Sequence, residues 1–558
     1  MLSSENPLTA ARSEAEQFAR ERSRAENRSI YEWDRFPGLP PFCKGVPASE
    51  RSTAYDNQSI LAEMTTALGE MLLGWTTFTR RANRDGKQLE AYERMRPLGR
   101  RPAVADVWRR DDEFARQRLN GVNPLLIERV HELPAHLNVT DETVAGVLPM
   151  GTSLAQLRDE GRLYVCDWAA LTDCPVAFGR FLTAPTALFW VDPSGTLMPL
   201  AIQLDRETTD RPDIGERMPA VVFTPDDDQW LWLTVRTHVQ SADASYHEMA
   251  VHLLRTHLVM ETVWVAANRG LARQHPIHRL LTPHFHGTIG INHKARNKLI
   301  VPGGPIDMSI SCGSEGAYWL INQALKTFSF GDLDPAQDIE RRGVGDRDVL
   351  PGYHYRDDAL RSWELIGDYT EEVLRCFYPD DESVRLDHEL ADWVHELTDA
   401  DCGALAGFPV ENGRFQTFAD LHHVVRTIVF TMSAGHSAVN NGQFDIYGHI
   451  PNSPGALFLP HPRTKTPSNE GELAYALPPF KVAATQIALV RALSSRPDRR
   501  LGDFPEEFFD DHHQVRIAVD RFRARLDELT IDIDRRNRDL EIPYTYLDPA
   551  TAACSVNF

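Results

Sequence analysis

Residues 249–267 read MAVHLLRTHLVMETVWVAA, a run that is apolar on nearly every face and is interrupted by two histidines five positions apart, His252 and His257. A stretch of this character is the core helix of a large helical domain. Arg255, His257 and Glu261 break it too often for a membrane span. Residues 424–440, VVRTIVFTMSAGHSAVN, form a second apolar helix, with His436 and Asn440 four apart and Asn441-Gly442 behind them as a C-terminal stop signal. On an α-helix, positions four apart diverge by only about 40°, so His436 and Asn440 share a face, whereas positions five apart diverge by about 140°. His252 and His257 can therefore meet at one ion only if the helix carries a π-type widened turn, which is expected within residues 252–257.

Four polar side chains inside two apolar helices would each cost roughly 1–3 kcal/mol if left unsatisfied. A shared transition metal satisfies them together. Imidazole suits iron, copper, zinc and nickel, and an amide oxygen is a weak ligand that leaves the ion electron-poor. Neither sulfur nor an acidic pair lies nearby, so structural zinc and carboxylate-bridged di-metal centres fit poorly. Of the 21 histidines, His275, His278, His284, His286, His293, His422 and His423 read as core residues with hydrogen-bonded rings, or as support around the site.

The segment from His252 to Phe285, then TIGINHKAR at 288–296, then FTMSAGHSAVNNGQFDIYGHIPNSP at 430–454 resemble the signature segments of the lipoxygenases, non-haem iron dioxygenases of polyunsaturated fatty acids. The likeness continues through GYHYRDDALRSWELI at 352–366, GFPV at 407–410 and PYTYLDP at 543–549, over roughly the last three hundred and fifty residues. The resemblance implies one mononuclear iron, cycling between Fe2+ and Fe3+, held by His252, His257, His436 and weakly by Asn440. The donor set does not separate iron from manganese. In the family the fifth ligand is the main-chain carboxylate of the last residue, usually isoleucine; here that residue is Phe558. The implied reaction removes a hydrogen atom from a doubly allylic CH2 and adds O2 to the resulting radical, the iron carrying the difficult step.

Other positions follow from the same resemblance. Gln443 matches a glutamine that links the metal region to the substrate channel. Glu248 stands where the family usually has glutamine; it adds negative charge near the iron, is protonated or paired, or is an ordinary solvated residue one turn away. Ala295 implies S hydroperoxides, since members with glycine there generally give R. Leu299 resembles the leucine that shapes the channel over the iron, and Ala244, Ile306, Ser309 and Ile310 fall at positions that set pocket depth. The implied partners are a polyunsaturated fatty acid and O2. Two other readings are open: a fatty-acid hydroperoxide isomerase forming epoxyalcohols on the same scaffold, and a catalytically silent lipid-binding homologue.

The 558 residues contain no long linker, which favours one large, mainly α domain. Short apolar runs between about 150 and 240, namely LYVC at 163–166, ALFWV at 187–191, AVVF at 220–223 and WLWLTV at 230–235, predict a small β-rich subregion ahead of the first ligand helix. Residues 8–28 read as helix, without the lipid-binding β-barrel of plant and animal lipoxygenases, as in compact bacterial forms. Residues 505–540 read as one or two amphipathic helices, after which the chain is expected to leave the helix and thread inward toward the metal. A net charge of −21 argues against nucleic acid and allows at most peripheral membrane contact. Seven cysteines without CxxC spacing suggest reduced thiols, and the absence of an apolar leader suggests a cytoplasmic protein.

Overall fold

Asp228 decides where the longest core element begins. Its carboxylate accepts the backbone N–H groups of Trp230 (3.2 Å) and Leu231 (3.0 Å) and so caps the helix Gln229–Tyr246. The run WLWLTV, expected as a strand, is therefore helix. A short apolar run cannot be assigned by periodicity alone, and here an N-cap and burial on all sides decide it. The computed structural model describes residues 14–51, 69, 89–93, 95, 101–206, 209–211, 216–218, 220–494 and 499–556. The helix continues without a break through a π-wound stretch, His247–Leu258, into Val259–Gly270, making one buried rod. It ends against the helix His388–Thr398 at Gly270, where a Cβ would stand 2.5 Å from the Cα of Trp393.

Before the rod lies an antiparallel five-stranded sheet of Glu128–Arg129, Leu163–Asp167, Thr186–Val191, Leu197–Gln203 and Val222–Phe223, paired in chain order. It starts earlier in the chain than the expected interval of 150 to 240. The strands alternate between two cores: Tyr164, Cys166, Ala187, Phe189 and Ile202 join the main core with the rod, whereas Leu163, Val165, Leu188, Trp190 and Leu200 join a smaller cluster with Leu137, Val144 and Leu157. Both faces are covered, which is why these strands read as continuous apolar runs and not as an alternation.

The helix Glu14–Ile30 lies on the end of the rod, held by the Arg20–Glu389 ion pair at 2.8 Å and by Asn27 donating to the Asn268 carbonyl at 3.0 Å. Residues 8–13 of the expected helix lie outside the described residues. Near the other terminus one helix, His513–Asn537, packs along His354–Arg375, with Phe522 stacked on Tyr369 at 4.5 Å. Beyond Pro543 the chain turns inward, and Tyr544, Tyr546, Leu547, Cys554 and Val556 are buried. All seven cysteines are free thiols, five of them buried.

One buried ion pair ties the rod to the π turn Ala295–Leu299 that succeeds it in the chain. Arg296 meets fully buried Glu261 at 2.5 and 2.9 Å, Cys43 N–H donates to the same carboxylate at 3.3 Å, and the guanidinium lies 4.0 Å from the Phe42 ring centroid. Breaking such a pair leaves an uncompensated buried charge. Arg296→Leu should destabilise the protein by about 3–5 kcal/mol, read as a lowered thermal midpoint, and Glu261→Met added to it should recover most of the loss. An unchanged midpoint in the single variant would mean that the pair does not hold this junction.

Candidate metal centre

A π winding closes i→i+5 hydrogen bonds, so residues five apart come onto one face. In His247–Leu258 this aligns three imidazoles, not two: His247 stacks on His252 at 5.9 Å and 10°, and His252 faces His257 at 5.0 Å edge to face. The widened winding spans twelve residues, longer than a bulge confined to residues 252–257. His436 arrives from the second helix, Phe418–Phe430, which also passes through a π turn, Thr431–Gly435, before His436–Asn440. The helix ends at Asn440, as the Asn441-Gly442 stop predicts, and Gly442, at an ordinary φ of −84°, caps the next helix, Gln443–Tyr447. Its lack of a side chain serves close approach, because a Cβ would sit 2.5 Å from the Tyr546 ring.

The Nε2 atoms of His252, His257 and His436 form a nearly equilateral triangle with sides of 3.3, 3.3 and 3.1 Å. Three nitrogens about 2.1 Å from one ion stand about 3.0 Å apart at right angles and about 3.4 Å apart in a tetrahedron, so the triangle fits a metal. Ring orientation agrees. His257 Nδ1–H donates to Asn292 Oδ1 at 3.0 Å, while Asn292 Nδ2 donates back to the His257 carbonyl at 2.8 Å. His252 Nδ1–H donates to Glu248 Oε2 at 3.3 Å. An acceptor at these two Nδ1 atoms selects the tautomer of His257 and His252 whose Nε2 carries a lone pair. Burial, with His252 beside it, pushes His257 down to about 3, and burial holds His436 well below the ordinary histidine value, so both rings are neutral donors. Converging lone pairs in a dry interior suit a cation and repel one another without it.

Glu248 is buried against His252, which removes the reading of it as a solvated residue. Gln443 is fully buried, its Nε2 lying 3.2 Å from His252 Nδ1 and donating to Asn440 Oδ1 at 3.1 Å. Asn440 turns its Nδ2 away to the Leu493 carbonyl at 2.7 Å, leaving the amide oxygen on the Gln443 side. Phe558 lies outside the described residues. The chain leading to it runs beside the site: Ala553 N–H donates to Ser437 Oγ at 3.0 Å and His284 Nδ1–H to the Cys554 carbonyl at 3.0 Å.

The expected pocket residues divide. Ala295 and Leu299 lie on a third π turn, Ala295–Leu299, packed against Pro305–Ser309, and Ile306 and Ile310 share its apolar cluster. Ser309 is buried, its hydroxyl donating to the Pro305 carbonyl at 2.6 Å. Ala244 sits in a different cluster, with Val122, Phe444, Ile446 and Tyr447. His275 and His278 are core histidines with partnered rings, on Asp387 and Asn268, and half-buried His422 has its ring on the Gly367 carbonyl.

Sequence reasoning missed two residues. His247 stood in plain view at the same five-residue period; its ring is held by the Val439 carbonyl at 3.0 Å and the Tyr447 hydroxyl at 2.9 Å, away from the triangle. Asn292, inside TIGINHKAR, carries no local signal, since only the fold brings it to His257.

The sequence matches the family model described as Lipoxygenase over residues 79–545. It is 36% identical over 553 residues to the human polyunsaturated fatty acid lipoxygenase ALOX15B, covering 95% of this chain and 78% of that protein. It is 35% identical over 462 residues to the human hydroperoxide isomerase ALOXE3, covering 81% and 63%. Among solved structures, an anaerobic crystal structure of a lipoxygenase in complex with arachidonate superposes with a TM-score of 0.90 at 29% identity, covering 98% of this chain and 82% of that one.

Because Asn292 is the acceptor that orients His257, Asn292→Leu should weaken iron retention about 10- to 100-fold, measured by competition with a chelator. Asn292→Asp keeps the acceptor on the ring but loses the donor to the His257 carbonyl, and should fall between the leucine variant and wild type. Equal retention in the leucine variant would remove Asn292 from the site.

Proposed function

The chain belongs to the lipoxygenase family, and from that premise we propose that it inserts O2 into polyunsaturated fatty acids, giving S hydroperoxides. The observation that carries the reading is the triangle of His252, His257 and His436 Nε2 atoms, spaced for one ion, with acceptors at the Nδ1 atoms of His252 and His257. The proposed ligands are these three, the Asn440 amide oxygen and the α-carboxylate of Phe558. Burial of the chain up to Val556 beside Ser437, next to His436, supports the tail as a ligand.

When bound, iron supplies the one-electron chemistry that takes a hydrogen atom from a doubly allylic CH2. The protein supplies position and exclusion. Asn292 and Glu248 hold two rings, and Gln443 couples His252 to Asn440, so that movement at one donor is felt at the other. Around them the apolar walls keep water from a radical intermediate. Ala295, Leu299, Ile306, Ser309 and Ile310 are the proposed acyl-chain wall, with Ala244 as a more distant depth residue. Among the described residues no single helix is long and apolar enough to cross a membrane.

A second reading, hydroperoxide isomerase, draws on the relative of that name and on Glu248, whose carboxylate adds negative charge beside His252. With linoleate or arachidonate the iron-loaded protein should consume O2, gain conjugated-diene absorbance and yield S product on a chiral column. Consumption of added hydroperoxide with little O2 uptake would transfer the assignment to the isomerase, and inertness toward both would leave a silent lipid binder. One residue added after Phe558 should displace its carboxylate and abolish iron-dependent turnover. Full activity in that variant would exclude the tail as a ligand.

A further inference from the structure

A second cluster of metal-ligating side chains stands apart from the histidine triangle, at the end of the helix His388–Thr398, whose Trp393 meets the rod at Gly270. His395 Nδ1, a carboxylate oxygen of Asp399 and the Cys402 sulfur all lie within 4.8 Å of one another. The chain gathers them by folding back on the helix it has just left. Cys402 N–H and Ala404 N–H both donate to the Asp399 carbonyl at 3.0 Å, Gly403 N–H donates to the Glu396 carbonyl at 2.9 Å, and Leu405 N–H to the Leu397 carbonyl at 3.0 Å. Ala404 adopts a left-handed φ of 53° to complete the turn. From the N-terminal segment, the Arg35 guanidinium donates to the carbonyls of Ala400 at 2.8 Å and Cys402 at 2.6 Å. The turn is thus held by its own backbone and by Arg35, with the three donor atoms left over.

Asp399 divides its carboxylate. Oδ1 accepts Asp401 N–H at 2.9 Å, while Oδ2 stands 3.8 Å from His395 Nδ1, too far for a hydrogen bond. Nitrogen and oxygen donors on one tetrahedral zinc stand about 3.4 Å apart, and either stands about 3.6 Å from a sulfur ligand. Small side-chain rotations therefore close all three around one ion. The local charge favours it. Burial, with Glu396 and Asp399 beside it, pushes the Cys402 thiol up to about 11, and the same negative charge attracts a cation, which displaces the thiol proton to solvent on binding. The C-terminal end of the helix dipole adds to that attraction.

We propose that His395, Asp399 and Cys402 bind one zinc ion, with water in the fourth, solvent-facing position. Imidazole, carboxylate and sulfur donors together suit zinc, whereas magnesium and calcium take oxygen ligands. An ion held there clips the turn to the helix that presses on the rod, on the path toward the second histidine-bearing helix, Phe418–Phe430. The site is independent of the proposed function.

Metal titration of the iron-loaded full chain tests it, because the histidine triangle contains no sulfur. Co2+ should produce thiolate-to-cobalt charge-transfer absorbance that saturates at one ion per chain, and Zn2+ should displace it while the iron content stays constant. Cys402→Ser should abolish the band. Both Cys402→Ser and His395→Ala should lower zinc affinity by about tenfold or more in chelator competition, with iron content and the zinc-free melting midpoint unchanged. Absence of the band in the wild type, or a band that survives Cys402→Ser, overturns the proposal. Equal zinc affinity in the wild type and both variants also overturns it, since the ion would then be adventitious. So does iron lost in step with zinc uptake, which would place the zinc in the histidine triangle.

Discussion

The metal site depends on helical register. An α-helix cannot turn His252 and His257 toward one point, and the π winding of His247–Leu258 does so by changing which residues share a face. Such windings have poorer hydrogen-bond geometry than the α-helix and persist where the surroundings over-determine them. Here those surroundings are the buried rod itself, capped by Asp228 at one end and pressed against Trp393 at the other, with the Arg296–Glu261 pair fastening its flank. The second histidine-bearing helix repeats the device with Thr431–Gly435, and the proposed acyl-chain wall repeats it again with Ala295–Leu299. In His247–Leu258 the departure from the α register turns His247, His252 and His257 onto one face, which a regular helix would deny them.

Burial and hydrogen bonding then select among the groups that the register has assembled. Desolvation removes the charge from His257 and His436, and the acceptors Asn292 and Glu248 choose the tautomers of His257 and His252. The three imidazoles present neutral nitrogen lone pairs, which favour an ion that accepts nitrogen donors over hard, oxygen-seeking cations. Among the described residues Glu248 is the carboxylate in contact with the ligand rings, and it acts through His252.

Much of this was legible in the sequence because periodicity and chemistry pointed the same way. The apolar character of 249–267 and 424–440 announced buried helices, and the five-residue spacing of His252 and His257 required a widened turn on geometric grounds alone. Two kinds of feature escaped. WLWLTV looked like a strand because an apolar run of six has no period long enough to separate strand from helix, and the cap that settles it lies outside the run. Asn292 and the third π turn escaped because their roles come from residues distant in sequence, thirty-five positions away for the Asn292–His257 contact. Asn441-Gly442 does end the helix, at Asn440, and Gly442 has a further role that no local pattern announces, which is to admit the Tyr546 ring.

The cysteines carry a consequence for chemical durability. Peroxides attack thiolate, not thiol. Burial pushes Cys43 up to about 11 and Cys554 up to about 12, raises Cys166 and Cys376, and with nearby Glu396 lifts Cys402 to about 11; hydrogen bonding to Cys174, with burial, raises Cys312. At neutral pH these sulfurs therefore stay protonated, and most are walled off from solvent. Under the proposed function, whose product is a lipid peroxide, these six thiols are thereby held in the form least open to oxidation.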